Sequence, residues 1–272
     1  MGETGFPAYR QLGVEVAGPV ATVTITNGER NSWSEIMNAE LHDVVRRLDG
    51  RDDVRAVVIT GAGRVFSTGY DLSGGRIGGG DRELAPGVDD TPFTPDRARK
   101  PVIAALNGDA VGGGTTFPLL CDIRYVAAGA KLAFPFVRRG IATEYGASWL
   151  TPRLVGLPTA LDLVLTGRTF SAEEAVERGL CHRLLPAEEV LPEAHRLAAE
   201  IAERTSPEAV AVVKRLLWDG LERTFDAAVE VERAWFSWTL GRPDATEGVR
   251  SFMEKRPPAW VGRPSEVPAD PP

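Results

Sequence analysis

Cysteine and histidine are scarce in this chain. Its 272 residues hold only Cys121 and Cys181, and only His42, His182 and His195. The two cysteines lie in apolar sequence without a CxxC pair, which excludes a disulfide framework and a thiolate zinc site. The histidines are scattered without HExxH spacing, so no metal centre is expected. No apolar run approaches the ~20 residues of a membrane span, and the opening MGETGFPAYRQ has no basic stretch followed by an apolar one. A cytoplasmic location without a membrane partner is therefore expected.

An excess of positive charge is missing as well. Lys plus Arg number 31 against 38 Asp plus Glu, a net charge of −7. That argues against a nucleic-acid binder, which needs a basic face. It leaves room for a small anionic ligand met by a few local Arg and Lys. Hydrophobic residues at 43% and charged residues at 25% are ordinary globular values, sufficient for a sizeable core. The length allows one large domain or two smaller ones.

The chain opens with a predicted hairpin, 12–17 and 20–26 around Gly18-Pro19, with Ala21, Val23 and Ile25 on one face. A helix follows from Ser34 to Asp49, stopped by Gly50, then a buried strand at 54–60. Residues 73–97 are rich in Gly and Pro and read as a long mobile loop, before strand-like sequence resumes at 101–106. A glycine run at 112–114, a helix through Leu120 and a strand at 123–127 complete an α/β core. Beyond about residue 158 the pattern is mainly helical. Ser171 and Glu174 form a capping box, helices are predicted over 187–204, 222–239 and 244–255, and Ser206-Pro207 opens another. No repeat of 20–50 residues is present. The tail, 263–272, reads as disordered.

Two glycine-rich turns, each directly after a strand, carry the candidate chemistry: GAGRVFSTGYDL at 61–72 and NGDAVGGGTTF at 107–117. Neither fits a familiar nucleotide motif. A P-loop would need Lys where Gly114 stands, a dinucleotide fingerprint would need Gly where Phe66 stands, and 146–150 ends in Leu instead of completing GxSxG. Two backbone N–H donors aimed at one oxyanion remain as the functional reading, with tight close-packed turns as the alternative.

VFSTGYDL at 65–72 and NGDAVGGG at 107–114 resemble the two oxyanion-hole signatures of the crotonase (enoyl-CoA hydratase/isomerase) superfamily. LLCDIRYVA, LTGRTFSAEEAVERGL at 165–180 and EGVRSFMEKRPPAW at 247–260 fall in the family's order and spacing, so the resemblance covers nearly the whole chain. It implies an α/β fold: a crotonase-like ββα spiral core over 1–200 and a helical C-terminal trimerisation region over 201–262. It implies a homotrimer or dimer of trimers, and an acyl-CoA thioester as ligand. Coenzyme A would enter as part of the substrate, with no permanently bound cofactor. The thioester oxygen would be held by the N–H groups of Tyr70 and Gly113.

Hydratases of this family use two Glu, and the matching positions here are Thr116 and Phe136. Glu144, in GIATEYGASWL, falls where some Δ3,Δ2-enoyl-CoA isomerases of the family place their base. One carboxylate suffices for a 1,3-proton shift, and burial beside Phe136, Tyr145 and Trp149 would raise its pKa towards neutrality. Double-bond isomerisation is therefore the expected activity. Hydration, CoA-ester hydrolysis with the same oxyanion hole, and acyl-CoA binding without turnover are the alternatives. The resemblance also implies CoA contacts from Arg30, Ser32, Trp33, Arg64 and Lys255, the last from a neighbouring subunit. Asp71, Asp109, Asp122, His182 and His195 read as structural. Trp235, Phe236 and Trp238 read as core or subunit interface.

Overall fold

A computed structural model describes residues 5–72 and 83–272 of the chain. It begins with the hairpin of β1 (Leu12–Ala17) and β2 (Val20–Ile25), on which Ala21, Val23 and Ile25 are wholly buried. Helix α1 (Glu35–Asp49) starts where the Ser34 hydroxyl accepts the Met37 N–H at 3.1 Å, and Gly50 ends it. Next come β3 (Ala56–Gly61), β4 (Val102–Leu106), the two-residue β5 (Ala110–Val111) and one turn of helix, α2 (Gly113–Thr116). The helix predicted through Leu120 continues past Thr116 only as a 3-10 turn, Phe117–Leu120, in which Pro118 has no N–H to give. Then follow β6 (Ile123–Ala127), β7 (Lys131–Ala133), α3 (Ala147–Val155), α4 (Leu157–Thr166), β8 (Thr169–Ser171), α5 (Ala172–Glu177) and β9 (Arg183–Leu185).

Five strands run parallel in the main sheet, whose order is β1-β2-β3-β4-β6-β9, with β1 antiparallel at one edge. Every residue of β3 and β4 is buried, as expected of parallel strands covered on both faces. Helix α6 (Ala187–Arg204) packs across β3, β4 and β6. A small second sheet, β5-β7-β8, holds the second glycine turn against the body of the protein. The capping box at the start of α5 forms by half. Ser171 Oγ accepts the Glu174 N–H at 3.2 Å, but the Glu174 carboxylate turns away to Arg168, a stronger charge-assisted partner.

Three further helices, α7 (Pro207–Gly220), α8 (Phe225–Leu240) and α9 (Pro243–Glu254), make the C-terminal region, with Trp235 buried among Ala211, Val212 and Val267. Lys214 of α7 tethers this region to the core. Its Nζ reaches Asp122 at 2.7 Å and the carbonyls of Pro95 and Lys100. Asp122 also accepts the Val102 N–H and the Trp218 indole N–H, so it is a structural knot. The tail, expected to be disordered, is docked instead. Ser265 Oγ donates to Asp52 at 2.7 Å, Arg242 pairs with Glu266, Arg215 donates to the Pro268 carbonyl, and Val267 is buried. These anchors lie far away in sequence and tie down what composition alone leaves free. Of the predicted mobile loop, 73–82 lies outside the described residues. Residues 83–97 are held down by α1, whose Arg46 and Arg47 donate to the carbonyls of Asp89, Thr91 and Gly87.

Candidate active site

The two glycine turns are laced together. The N–H groups of Phe66 and Ser67 donate to the Asp109 carbonyl at 3.1 and 3.2 Å, and the Val111 N–H donates back to Ser67 at 2.9 Å. Two asparagines hold the curve after β3. Asn107 accepts the Gly61 N–H at 3.0 Å and donates to Gly63, while buried Asn31 donates to the carbonyls of Ala62 and Val65. The turn at 27–33 is stitched on by Thr68 N–H to Arg30 and Trp33 N–H to Gly69, the latter at 2.9 Å.

Side chains are excluded where the turns cross. Gly69 has a φ of 79°, and a Cβ there would stand 2.8 Å from the Val111 carbonyl oxygen. Gly112, at a φ of 58°, approaches the Cα of Gly69, and Gly114 lies against the Ser67 carbonyl. The Tyr70 N–H, just after Gly69, and the Gly113 N–H, first in α2, therefore flank one crossing point. No acceptor among the described residues takes either N–H. With α2 only one turn long, its contribution is this free first-turn N–H more than a helix dipole.

Glu144 closes the constellation. It lies between the left-handed Gly140, which ends a short 3-10 turn, and Tyr145, whose φ of 52° is unusual for a residue with a bulky side chain. Two contacts over-determine this strained residue. Its ring packs against Trp33 and Phe117 with centroids 5.8 and 5.5 Å away, and its hydroxyl donates to Asn38. Glu144 itself is half-buried, and its Oε1 is sequestered without a hydrogen-bond partner. Burial alone pushes its carboxyl above the ordinary range. The Tyr70 phenol is also pushed up, first by burial and then by the charge of Glu144, which puts the two within electrostatic reach. A carboxylate that can take a proton and two amide donors without acceptors are the parts that enolate formation needs.

Outside these groups lies a cleft of about 700 Å³, lined by Arg30, Ser32, Thr68 and Tyr70 among others. Thr116 and Phe136 are buried, and the Thr116 hydroxyl donates to the Gly112 carbonyl at 3.2 Å.

Residues 15–263 match the model of the enoyl-CoA hydratase/isomerase family. The chain belongs to this family. Similar proteins include an enoyl-CoA hydratase of Alternaria alternata, 35% identical over 91% of this chain and 84% of that protein. The 1,2-epoxyphenylacetyl-CoA isomerase of Escherichia coli K12 is 32% identical over 90% and 95%. A probable enoyl-CoA hydratase/isomerase from Mycobacterium abscessus superposes with a TM-score of 0.84 at 39% identity, covering 93% of this chain and 98% of that one. Enoyl-CoA hydratases/isomerases are enzymes acting on acyl-CoA thioesters, and the crotonase fold predicted from the motifs is the fold observed.

Not every residue expected around the thioester of an enoyl-CoA hydratase/isomerase reaches this site. The structure sets Tyr70 and Gly113 on two touching glycine turns, puts Glu144 within electrostatic reach of the Tyr70 phenol, and places Arg30 and Ser32 in the cleft. Trp33 lies under the turn: its N–H donates to Gly69 and its ring is buried beneath Gly113. Arg64 is exposed on the turn beside Gly108, outside the cleft wall. Lys255, expected to act on a neighbouring subunit's site, is exposed at the left-handed end of α9 and outside this chain's own cleft wall. Asp109 accepts the Lys131 N–H, His182 accepts the Arg124 N–H, and His195 bonds Thr22, all structural as read from sequence. Asn31, Asn107 and Tyr145 were not singled out. Asn-Gly at 107–108 is a turn signal that points to Asn107, but nothing local marks Asn31 or Tyr145. Among the described residues no helix is long and apolar enough to cross a membrane.

Proposed function

We propose that this protein binds an acyl-CoA thioester and moves its double bond from the Δ3 to the Δ2 position, with Glu144 as the single base. The observation that carries this reading is the buried, unpartnered Glu144 Oε1 within electrostatic reach of Tyr70, with no second carboxylate at Thr116 or Phe136. The Glu144 carboxylate takes a proton from C2. The released electron pair forms a dienolate whose oxygen is held by the Tyr70 and Gly113 N–H groups, each such donor being worth ~3–4 kcal/mol. Glu144 then returns the proton at C4, leaving the double bond between C2 and C3. No atom is gained or lost. Hydration would require further groups to hold and deprotonate a water, and the Thr116 hydroxyl is already committed to Gly112.

Arg30, Ser32, Trp33 and Arg64 would meet the CoA moiety along and beside the cleft, with a neighbouring subunit's Lys255 joining in an assembly. An assembly is favoured by the apolar side chains left in solvent on α7–α9: Leu217, Phe225, Phe236, Leu240, Phe252 and Met253. A homotrimer or dimer of trimers is the proposed form. The activity is tested by NMR of a 3-enoyl-CoA and a 2-enoyl-CoA in deuterated buffer. Interconversion with deuterium entering at C2 or C4 supports the isomerase. A 3-hydroxyacyl product would replace it with hydration, free CoA with hydrolysis, and unchanged spectra with a silent binder.

A further inference from the structure

A second and larger cavity, about 960 Å³, opens beside the Glu144 loop, between the core and the C-terminal region. Gly146, two residues from Glu144, is part of its wall, and Tyr70 belongs to the outer cleft. The Glu144 segment thus borders the chamber through Gly146 and lies within electrostatic reach of the cleft through Tyr70. Phe93, Leu120, Trp149, Leu150 and Trp218 give the chamber aromatic and aliphatic patches between its charged residues, and the docked tail at 267–269 forms one side.

Its charges cancel. Four arginines and four carboxylates line it, and each arginine is paired: Arg99 with Asp49 at 2.8 Å, Arg97 with Asp96 at 3.3 Å, and Arg215 and Arg223 with Asp219 at 3.4 Å. Such a wall offers no spare cation to a phosphate or carboxylate. Its size falls within the ~300–1,000 Å³ of pockets that hold drug-sized ligands. A four-carbon acyl chain would leave most of it to water.

We infer that the acyl group passes Glu144 into this chamber, and that the substrate class is a thioester of an uncharged, ring-sized acyl group rather than a short straight chain. This rests on the proposed reading of the Glu144 site. Calorimetric titration with butyryl-CoA and 4-phenylbutyryl-CoA, neither of which carries a double bond to shift, provides the test. The wild-type protein should bind the phenyl ester at least about tenfold more tightly. Ala211→Trp, and independently Ala269→Trp in the exposed tail, should reduce that preference below about twofold without changing butyryl-CoA affinity. The second variant guards against misfolding of the first, and thermal melts check both. Equal affinity for the two esters in the wild type, or a preference that survives both substitutions, overturns the proposal. Deuterium exchange at C2 of butyryl-CoA, compared between wild type and Glu144→Gln, is read separately. Exchange that persists in the variant defeats Glu144 as base and leaves the binding preference to stand or fall by itself.

Discussion

Gly113 sits directly over the Trp33 indole: a Cβ on Gly113 would stand 2.8 Å from Cδ2 and 2.9 Å from Cγ of that ring. The proposed oxyanion donor and a fully buried tryptophan are therefore one packed unit. Gly113→Ala should displace the turn or the ring, lowering stability by about 1–3 kcal/mol as overpacking does. It should also reduce turnover beyond what the stability loss explains. Trp33→Leu in the same chain should restore much of the stability, and urea denaturation of both single variants and the double variant measures that coupling.

Glu144→Gln should reduce C2-proton exchange by about 10²–10⁴-fold while the fold persists. In the wild type, activity should rise with pH through a pKa above the ordinary carboxylate range, because the base must be ionised and burial opposes that. The stability sign follows from the same shift. With the folded pKa above the unfolded one, the contribution of Glu144 is fully present below the unfolded pKa and is lost as pH rises through the folded one. Glu144→Gln should therefore gain stability relative to wild type between mildly acidic and neutral pH. An acid limb at the usual carboxylate pKa, with no change in relative stability across that window, contradicts the assignment.

Tyr145 acts through its neighbour, as a positioning residue. Tyr145→Phe removes the hydroxyl bonded to Asn38 while keeping the ring against Trp33 and Phe117. Loss of a buried partner should cost about 1–3 kcal/mol. The kinetic signature expected is a several-fold lower kcat with KM unchanged and the acid limb of the pH profile moved. A purely structural role would leave that limb in place.

Much of this arrangement is legible in the sequence where the signal is local. The β1–β2 hairpin, α1 with its Ser34 cap and α6 all follow from periodicity and caps. The strands β5, β7 and β8 do not, because two or three residues cannot display a period. They exist through long-range pairing such as Ala110 with Leu132 and Lys131 with Ser171. The same division runs through the site. The glycine spacing exposes the turns, but the burial of Trp33 is decided by packing from other segments, Phe117 and Tyr145 among them. The tail illustrates it most plainly, since Ser265 finds Asp52 across 213 residues.

Lys214→Ala should test how the C-terminal region is held. It would leave Asp122, together with the Pro95 and Lys100 carbonyls, short of a partner. Breaking such a buried pair costs about 3–5 kcal/mol. Guanidinium titration should show a lower midpoint, and the Trp218 indole bonded to Asp122 should report the change in fluorescence.

The apolar side chains on α7–α9 predict a concentration-dependent assembly. Phe236→Asp with Phe252→Asp, both at exposed positions in the single chain, should shift light-scattering mass towards one subunit with little loss of helicity. An unchanged mass would assign those side chains to another purpose.

Because the proposed donors at Tyr70 and Gly113 are main-chain atoms, replacing one side chain by another does not delete them. On the proposed reading, mutation can retune what surrounds the enolate, at Thr116, Phe136 or Glu144, while the main-chain donors are inherited intact. A lineage with this backbone can thus change the reaction it performs by altering an acid or two, without first losing the ability to activate a thioester.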